Sequence, residues 1–383
     1  MKYSGVSVFT GRKIEVEIEE GRIAGIKEIE TKESLPYIAP GFLDMQVNGF
    51  SGSDYSGDDF SIPQFERLLH CLDMAGTTQH VPTIVTKPRN RIVENLKLLS
   101  RALRENPALE EAIAGIHVEG PFISVEDGPR GAHDRRFIRA PDFSEFQEWQ
   151  AAAEGRIKVI TLAPEKPGAL EFIEKITRTG VIAAIGHTAG TPEIIREAVI
   201  AGATLSTHLG NGSHVSLPRL DNYIWEQLSE DRLMAGLIAD GFHLPPSVVK
   251  VITRAKESTR IILVSDASPL GGLKPGIYRW GAIKVQIFDD GHLGLAGTPF
   301  LAGSGHLLDW CIPHFSAFTG FPIGEVIPLC TVNPARLLKL PRDYGLLRAG
   351  APANLALFKY NRGDACIKVI KTIRGGKVVF SAA

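Results

Sequence analysis

The stretch VIAAIGHTAGTPEIIREAVIAGATLSTH, residues 181–208, decides the fold. Val181–His187 is a short apolar run that ends on polar residues, and Thr204–His208 repeats that form. Between them Pro192–Ala201 has helical period, with Thr191 placed to cap the helix and Pro192 at its first position. A strand, a helix and a second strand at this spacing make a βαβ unit, whose strands run parallel. The same alternation extends in both directions. Further strands are expected at Phe42–Val47, Thr77–Val85, Ala112–Glu119, Ile157–Leu162, Leu233–Ala239 and Ile261–Ser265, with helices such as Phe65–Met74, Ile92–Leu103 and Ala169–Thr177. Eight such units predict an α/β fold of the TIM-type (β/α)8 barrel kind.

The flanks have another character. Before Ala39-Pro40-Gly41, the runs Val6–Phe9, Ile14–Ile18 and Ile23–Ile29 read as strands, with a turn at Glu20-Gly21-Arg22. After about residue 340, Gly345–Gly350, Asn354–Phe358, Ile367–Ile373 and Val378–Phe380 read the same way. Two domains are expected: a barrel over 41–340, and a small β-sandwich formed by both termini, 1–40 plus 341–383.

Composition narrows the function classes. The 383 residues are 44% hydrophobic and 22% charged, the balance of a globular protein. Lys and Arg number 42 against 43 Asp and Glu, which leaves no electrostatic footprint for nucleic acid or an anionic membrane. No apolar stretch approaches a membrane span, and Met1–Arg22 lacks the apolar core of a signal peptide. Cys71, Cys311, Cys330 and Cys366 lie far apart and form no metal or disulfide pattern, so a reducing, cytoplasmic location is expected.

In a barrel of this kind the active site is assembled at the C-terminal ends of the strands. The third strand ends His117-Val118-Glu119-Gly120-Pro121, the fifth Gly186-His187-Thr188, and the sixth Thr207-His208-Leu209-Gly210-Asn211-Gly212. Asp240-Gly241-Phe242-His243 follows the seventh, and Ser265-Asp266 ends the eighth. Glu119, His187 and His208 place one carboxylate and two imidazoles at three strand mouths. That set suits a divalent metal and leaves a coordination position open, as catalysis requires. Each of the three alone reads as a structural side chain; their convergence carries the metal reading. Asp266 has two readings on spacing alone, a proton-transfer base beside the metal or a helix-capping, loop-fixing aspartate.

The ordered series Ala39-Pro-Gly-Phe-Leu-Asp44, Gly115-Ile-His-Val-Glu-Gly-Pro121, Gly186-His-Thr188, Thr207-His-Leu-Gly-Asn211, Ile238-Ala-Asp-Gly-Phe-His243, Val264-Ser-Asp266 and Leu301-Ala-Gly-Ser304 resembles the N-acetylglucosamine-6-phosphate deacetylases of the amidohydrolase superfamily. The resemblance runs on to the tail Gly345-Leu-Leu-Arg-Ala-Gly-Ala-Pro-Ala-Asn354. It implies metal-assisted hydrolysis of an acetamido group on a small amino-sugar substrate. By the same resemblance Glu119, His187 and His208 hold one divalent ion, Zn2+ first, with Fe2+, Mn2+, Co2+ and Ni2+ as alternatives. Asp266 then serves as general base and afterwards as general acid. Ala132, His133 and His243 match substrate contacts, Asn211 and Gly212 match positions that bind the sugar phosphate, and Leu301, Ala302 and Gly303 match a substrate loop. Arg219 falls where the family places a phosphate-binding arginine that reaches in from a neighbouring subunit, which implies a homodimer or homotetramer.

The chain also departs from related patterns. Where many amidohydrolases carry His-x-His, it has Gln46-Val47-Asn48; neutral amides are poor ligands beside imidazole, so a second metal position is expected to be weak or absent. Thr161-Leu-Ala-Pro-Glu165 offers no lysine for carbamylation, which counts against hydantoinase or dihydroorotase chemistry. Asn211-Gly-Ser-His214 and Arg219-Leu-Asp-Asn222 differ from the family's phosphate-binding segments. Three readings follow: deacetylation of N-acetylglucosamine 6-phosphate, deacetylation of an unphosphorylated N-acetylated amino sugar, or non-catalytic binding of a sugar phosphate. His214 is either a substrate contact or an exposed loop residue. Tyr223 and Trp225 either stack on a sugar face or pack under the loop.

Overall fold

The computed structural model describes every residue except Ala282, Pro299 and Ala383. Eight parallel strands form one sheet in chain order: Phe42–Val47, Thr77–Val85, Ile116–Glu119, Ile157–Leu162, Ile182–Ile185, Leu205–Ser206, Met234–Leu237 and Ile261–Leu263. The Val47–Ala267 bridge links its two ends and closes the barrel. The strands form because short β-branched runs are buried on both faces, as parallel sheets require. The helices between them show the complementary pattern. Ala169–Arg178, for example, buries Ala169, Phe172, Ile173 and Ile176, the i, i+3, i+4, i+7 stripe of a helix lying on a sheet.

Leu43, Val81, Val159, Ala184, Leu205 and Ile262 form one apolar cluster drawn from six strands. Above it lies a polar layer in which His117 Nε2 meets Thr161 Oγ1 at 2.7 Å and Thr161 meets Thr207 Oγ1 at 2.6 Å. Burial, then the cations that His187 and His208 can become, outweighs the pull of Glu119 and lowers the His117 pKa to about 4. His117 is therefore a neutral hydrogen-bonding support beneath the site.

The termini combine into a separate seven-stranded sheet. Its centre is Leu355–Lys359 paired antiparallel with Tyr37–Pro40, so the two ends of the chain are joined there. Arg374 fastens this sheet to the barrel: its Nε donates to Thr78 O at 2.7 Å, and its guanidinium pairs with Asp73 at the end of helix Ile62–Met74. Two features differ from the sequence reading. Gly345–Gly350 is turn and bend rather than strand. An antiparallel three-stranded sheet, Gly276–Trp280, Ile283–Ile287 and Leu293–Leu295, follows the last barrel strand inside the stretch read as barrel. Trp280 Nε1 donates to Asp54 Oδ2 at 2.9 Å and ties this insert to the barrel mouth. No single helix among the described residues is long and apolar enough to cross a membrane.

Candidate active site

The strand ends are shorter than their sequence pattern suggests, and the chemistry sits just past them. His187, His208 and Asp266 all have positive φ, of 53°, 29° and 50°. Non-glycine residues rarely adopt that conformation, which turns each side chain sharply into the barrel mouth. Glu119 is the last residue of its strand and is buried.

These groups meet closely. His187 Nε2 lies 3.1 Å and His208 Nε2 3.0 Å from the same oxygen, Glu119 Oε1, and the two Nε2 atoms are 3.0 Å apart. The Pro129 carbonyl, 2.7 Å from His187 Nδ1, can only accept, so Nδ1 carries the ring proton and the Nε2 lone pair faces the cluster. A lone pair directed at a carboxylate is repulsive unless a proton or a cation lies between them. Two imidazoles and a carboxylate at these separations fit a divalent ion. His133 joins the group, with Nε2 3.3 Å from His187 Nε2, and Glu119, His133 and His187 can together hold a metal. Burial opposes the charged form of Glu119, but the hydrogen bonds and charge that His187 and His208 offer as imidazolium outweigh that and hold the carboxyl well below the usual range. For His208, burial is likewise outweighed by the hydrogen bond and charge of Glu119, and the net shift is upward. Burial, with His187 next, lowers His133 to about 3, so its imidazole is neutral.

Asp266 is held from one side. Asn48 Nδ2 donates to its Oδ1 at 2.7 Å and Gln46 Nε2 donates to the same oxygen at 3.0 Å; among the described residues Oδ2 accepts no such bond. Gln46 Nε2 also bridges to both oxygens of Glu119, at 3.2 Å each. The Gln-x-Asn pair, read from the sequence only as missing ligands, is therefore a bracket that ties the candidate base to the candidate ligand. Burial, then the Glu119 charge, raises the Asp266 carboxyl to about 6.

A cavity of about 610 Å³ opens over this cluster. Glu119, His187, His208, Asp266, Ala132, His133, Asn211, Gly212, His243, Leu301 and Gly303 all line it. Two glycines keep backbone close to the His187 ring: a Cβ at Gly212 (φ +55°) would stand 2.7 Å from its Nδ1, and one at Gly131 (φ +56°) 3.2 Å from the same ring. His243 is aimed by Asp240, whose Oδ2 lies 2.7 Å from Nδ1 and whose Oδ1 accepts the Phe242 and His243 N–H groups at 2.9 Å. Burial would raise the Asp240 carboxyl, but the charge and hydrogen bond of His243 hold it well below its ordinary value.

Other expected residues lie elsewhere. Ala302 is fully buried in the core of the insert and does not reach the cavity, because alternation along the segment turns its methyl inward while its neighbours Leu301 and Gly303 face the substrate space. Arg219 is exposed and does not line the cavity. His214 binds Tyr223 Oη through Nδ1 at 3.0 Å and Glu126 through Nε2 at 2.9 Å, and is no cavity residue. Tyr223 is buried, and Trp225 donates to the Arg219 carbonyl at 3.1 Å; neither residue lines the cavity. Sequence reading missed Gln46, Asn48 and Asp240 as holders of the reacting groups, and it missed Trp280, Ile283 and Phe300 of the insert as cavity wall.

The fold and a cluster of imidazoles and a carboxylate at the barrel mouth define a class, and comparison with known proteins agrees. The amidohydrolase family model matches residues 37–379, and the chain belongs to that family. Within it, the chain is 30% identical to N-acetylglucosamine-6-phosphate deacetylase of Bacillus subtilis, over 95% of this chain and 92% of that protein. It is 32% identical to the Bos taurus enzyme of the same name, over 90% and 83%. The solved structure of the Mycobacterium smegmatis N-acetyl-D-glucosamine-6-phosphate deacetylase, a mutant in complex with N-acetyl-D-glucosamine-6-phosphate, superposes with a TM-score of 0.85 at 30% identity, covering 97% of this chain and 95% of that one.

Proposed function

We infer that the chain hydrolyses the acetamide of N-acetylglucosamine 6-phosphate to glucosamine 6-phosphate and acetate. The observation that carries this is the pairing, in one cavity, of the Glu119–His187–His208 cluster with a carboxylate, Asp266, that has one oxygen clamped and the other free. Glu119, His187 and His208 would hold one divalent ion, Zn2+ first among those that a two-imidazole, one-carboxylate set with an open position accepts. Such an ion supplies Lewis acidity toward the amide carbonyl and the attacking water.

The chain's own groups do the rest. Asp266 Oδ2 takes the proton of the attacking water, and a pKa near 6 leaves it mostly ionised at neutral pH while still basic enough to accept. The same oxygen then delivers that proton to the departing nitrogen, so a free amine leaves rather than an amide anion. His133, held by Thr86 Oγ1 at 2.8 Å, is placed to donate to the developing oxyanion. His243, fixed through Nδ1 by Asp240, presents Nε2 to the sugar.

The 6-phosphate is assigned to the Asn211–Ser213 end of the cavity. Asn211, Gly212 and Ser213 line that end, and Asn211 Nδ2 has no protein partner among the described residues. Arg219 would complete the site from a second copy. Val215, Leu220 and Trp225 around it are 80%, 78% and 49% exposed, an apolar patch suited to a homodimer contact. The test is metal exchange. Chelation should abolish acetate release from N-acetylglucosamine 6-phosphate, and one equivalent of Zn2+ per chain should restore it; full activity of the metal-free protein would overturn the reading.

A further inference from the structure

A second cavity of about 410 Å³ adjoins the first, and His133, Arg130, Trp280 and Ile283 are part of the wall between them. Its volume lies in the range of small-molecule sites. Its charge is one-sided. Lys87, Arg130, Arg135 and Arg136 line it, against a single carboxylate, Asp134. That carboxylate is already consumed: Arg136 Nε lies 3.0 and 3.1 Å from its two oxygens. Arg130 pairs with Asp127 and donates to His133 O at 3.2 Å, and its Nε is buried with no partner among the described residues. Lys87 and Arg135 have no carboxylate within ion-pair distance among the described residues. The floor is apolar, from Val85, Ala132, Phe137, Trp280 and Ile283.

Cations gathered around an apolar floor repel one another, and an anion on a carbon body relieves that repulsion while covering the floor. The cavity is also wired to the reaction site. Thr86 in its lining bonds His133 Nδ1, and His133 Nε2 is 3.3 Å from His187. It is not the phosphate end: Asn211, Gly212 and Ser213 line the first cavity only.

We propose that this second cavity binds an organic anion, a carboxylate or phosphate on a small carbon skeleton, distinct from the 6-phosphate, with Lys87 and Arg135 as the recognising charges. Resting on the deacetylase reading, its first source is a second anionic substituent on the amino-sugar phosphate itself, so the substrate class widens to sugars charged at both ends. Its second source is a separate small anion that binds beside the substrate.

The test uses the metal-loaded full chain and the double variant Lys87→Ala/Arg135→Ala. The substrates are N-acetylglucosamine 6-phosphate, its 3-O-carboxyethyl ether, and the neutral 3-O-propyl ether of matched size. A substituent arm predicts that the carboxylated ether has kcat/KM about tenfold above the neutral ether, as one charge-assisted contact provides, and that the double variant erases the difference. N-acetylglucosamine 6-phosphate itself should change by less than about twofold, since neither residue touches the reacting groups. A separate-anion arm predicts instead that butyrate or phenyl phosphate inhibits turnover of N-acetylglucosamine 6-phosphate, with an inhibition constant about tenfold weaker in the double variant. Either pattern supports the site. Equal treatment of charged and neutral ethers together with inhibition constants unmoved by the variant overturns it. Absence of acetate release from every sugar would sink the activity reading alone, and calorimetric binding of the two ethers to both proteins would then decide the cavity.

Discussion

Replacing Asn48 with leucine removes one donor from Asp266 and little else. Asn48 Nδ2 donates to Asp266 Oδ1 at 2.7 Å, whereas its own Oδ1 is buried without a partner among the described residues. An apolar side chain of nearly the same size therefore forfeits a single bond. A hydrogen bond to a charged group contributes about 1.5–3 kcal/mol. At about 1.4 kcal/mol per unit, its loss raises a carboxyl by roughly one to two pKa units. Burial and the Glu119 charge already hold Asp266 at about 6. Asn48→Leu should carry it to between about 7 and 8.

The direction follows from the role. A base acts as carboxylate, so activity fades as pH falls through the pKa, and a higher pKa moves the acid limb of kcat/KM toward alkaline pH. At pH 7 the native carboxyl is roughly nine-tenths ionised and the variant's between roughly a half and a tenth, so kcat/KM should fall about two- to tenfold and recover above about pH 9. The assay is acetate release from N-acetylglucosamine 6-phosphate across that range, with metal content matched between proteins. A loss of equal size at every pH would refute the reasoning, because it would mean that Asn48 supports the site without tuning its base.

Asp266→Asn should lower kcat by at least about a hundredfold, the scale of general acid–base catalysis, while calorimetry still detects sugar-phosphate binding. Arg219→Ala should raise KM for the phosphorylated sugar by about tenfold or more, as loss of a charge-assisted contact does, and leave an unphosphorylated sugar unaffected. Asp240→Asn should cut kcat/KM about tenfold or more by releasing His243 from its fixed tautomer, without changing bound metal. Arg374→Met should destabilise the fold by about 3–5 kcal/mol, because it strands the buried Asp73 carboxylate. Burial already raises Asp73 to about 6 with Arg374 present. A carboxyl raised in the folded state costs stability as pH rises through that value, so denaturant midpoints should differ more between variant and native protein at pH 8 than at pH 5.

Much of this architecture was legible in the chain. The barrel strands stand out because apolar β runs such as Ile157–Leu162 alternate with helical stretches such as Ala169–Arg178, and the two periods differ. Glu119, His187, His208 and Asp266 were readable because a barrel gathers strand ends at one mouth. The insert was not. Its strands are short, and in Gly276–Trp280 the side chains are only partly covered, so no run of buried residues marks it. Nor were the supports. Gln46 reaches Glu119 across 73 residues and Asp266 across 220, and only the closed barrel brings them together. The positive φ of His187, His208 and Asp266 leaves no trace in residue type, since none is glycine. Ala302 misled because its neighbours on both sides do reach the cavity.

The most direct test of the account compares kcat/KM for acetate release from N-acetylglucosamine 6-phosphate and from N-acetylglucosamine, side by side, on the Zn2+-loaded protein. The account predicts a preference for the phosphorylated sugar of at least about tenfold, the worth of one charge-assisted contact at the Asn211–Arg219 end. Equal or faster turnover of the plain sugar would contradict it, and would assign that end of the cavity to a different substituent.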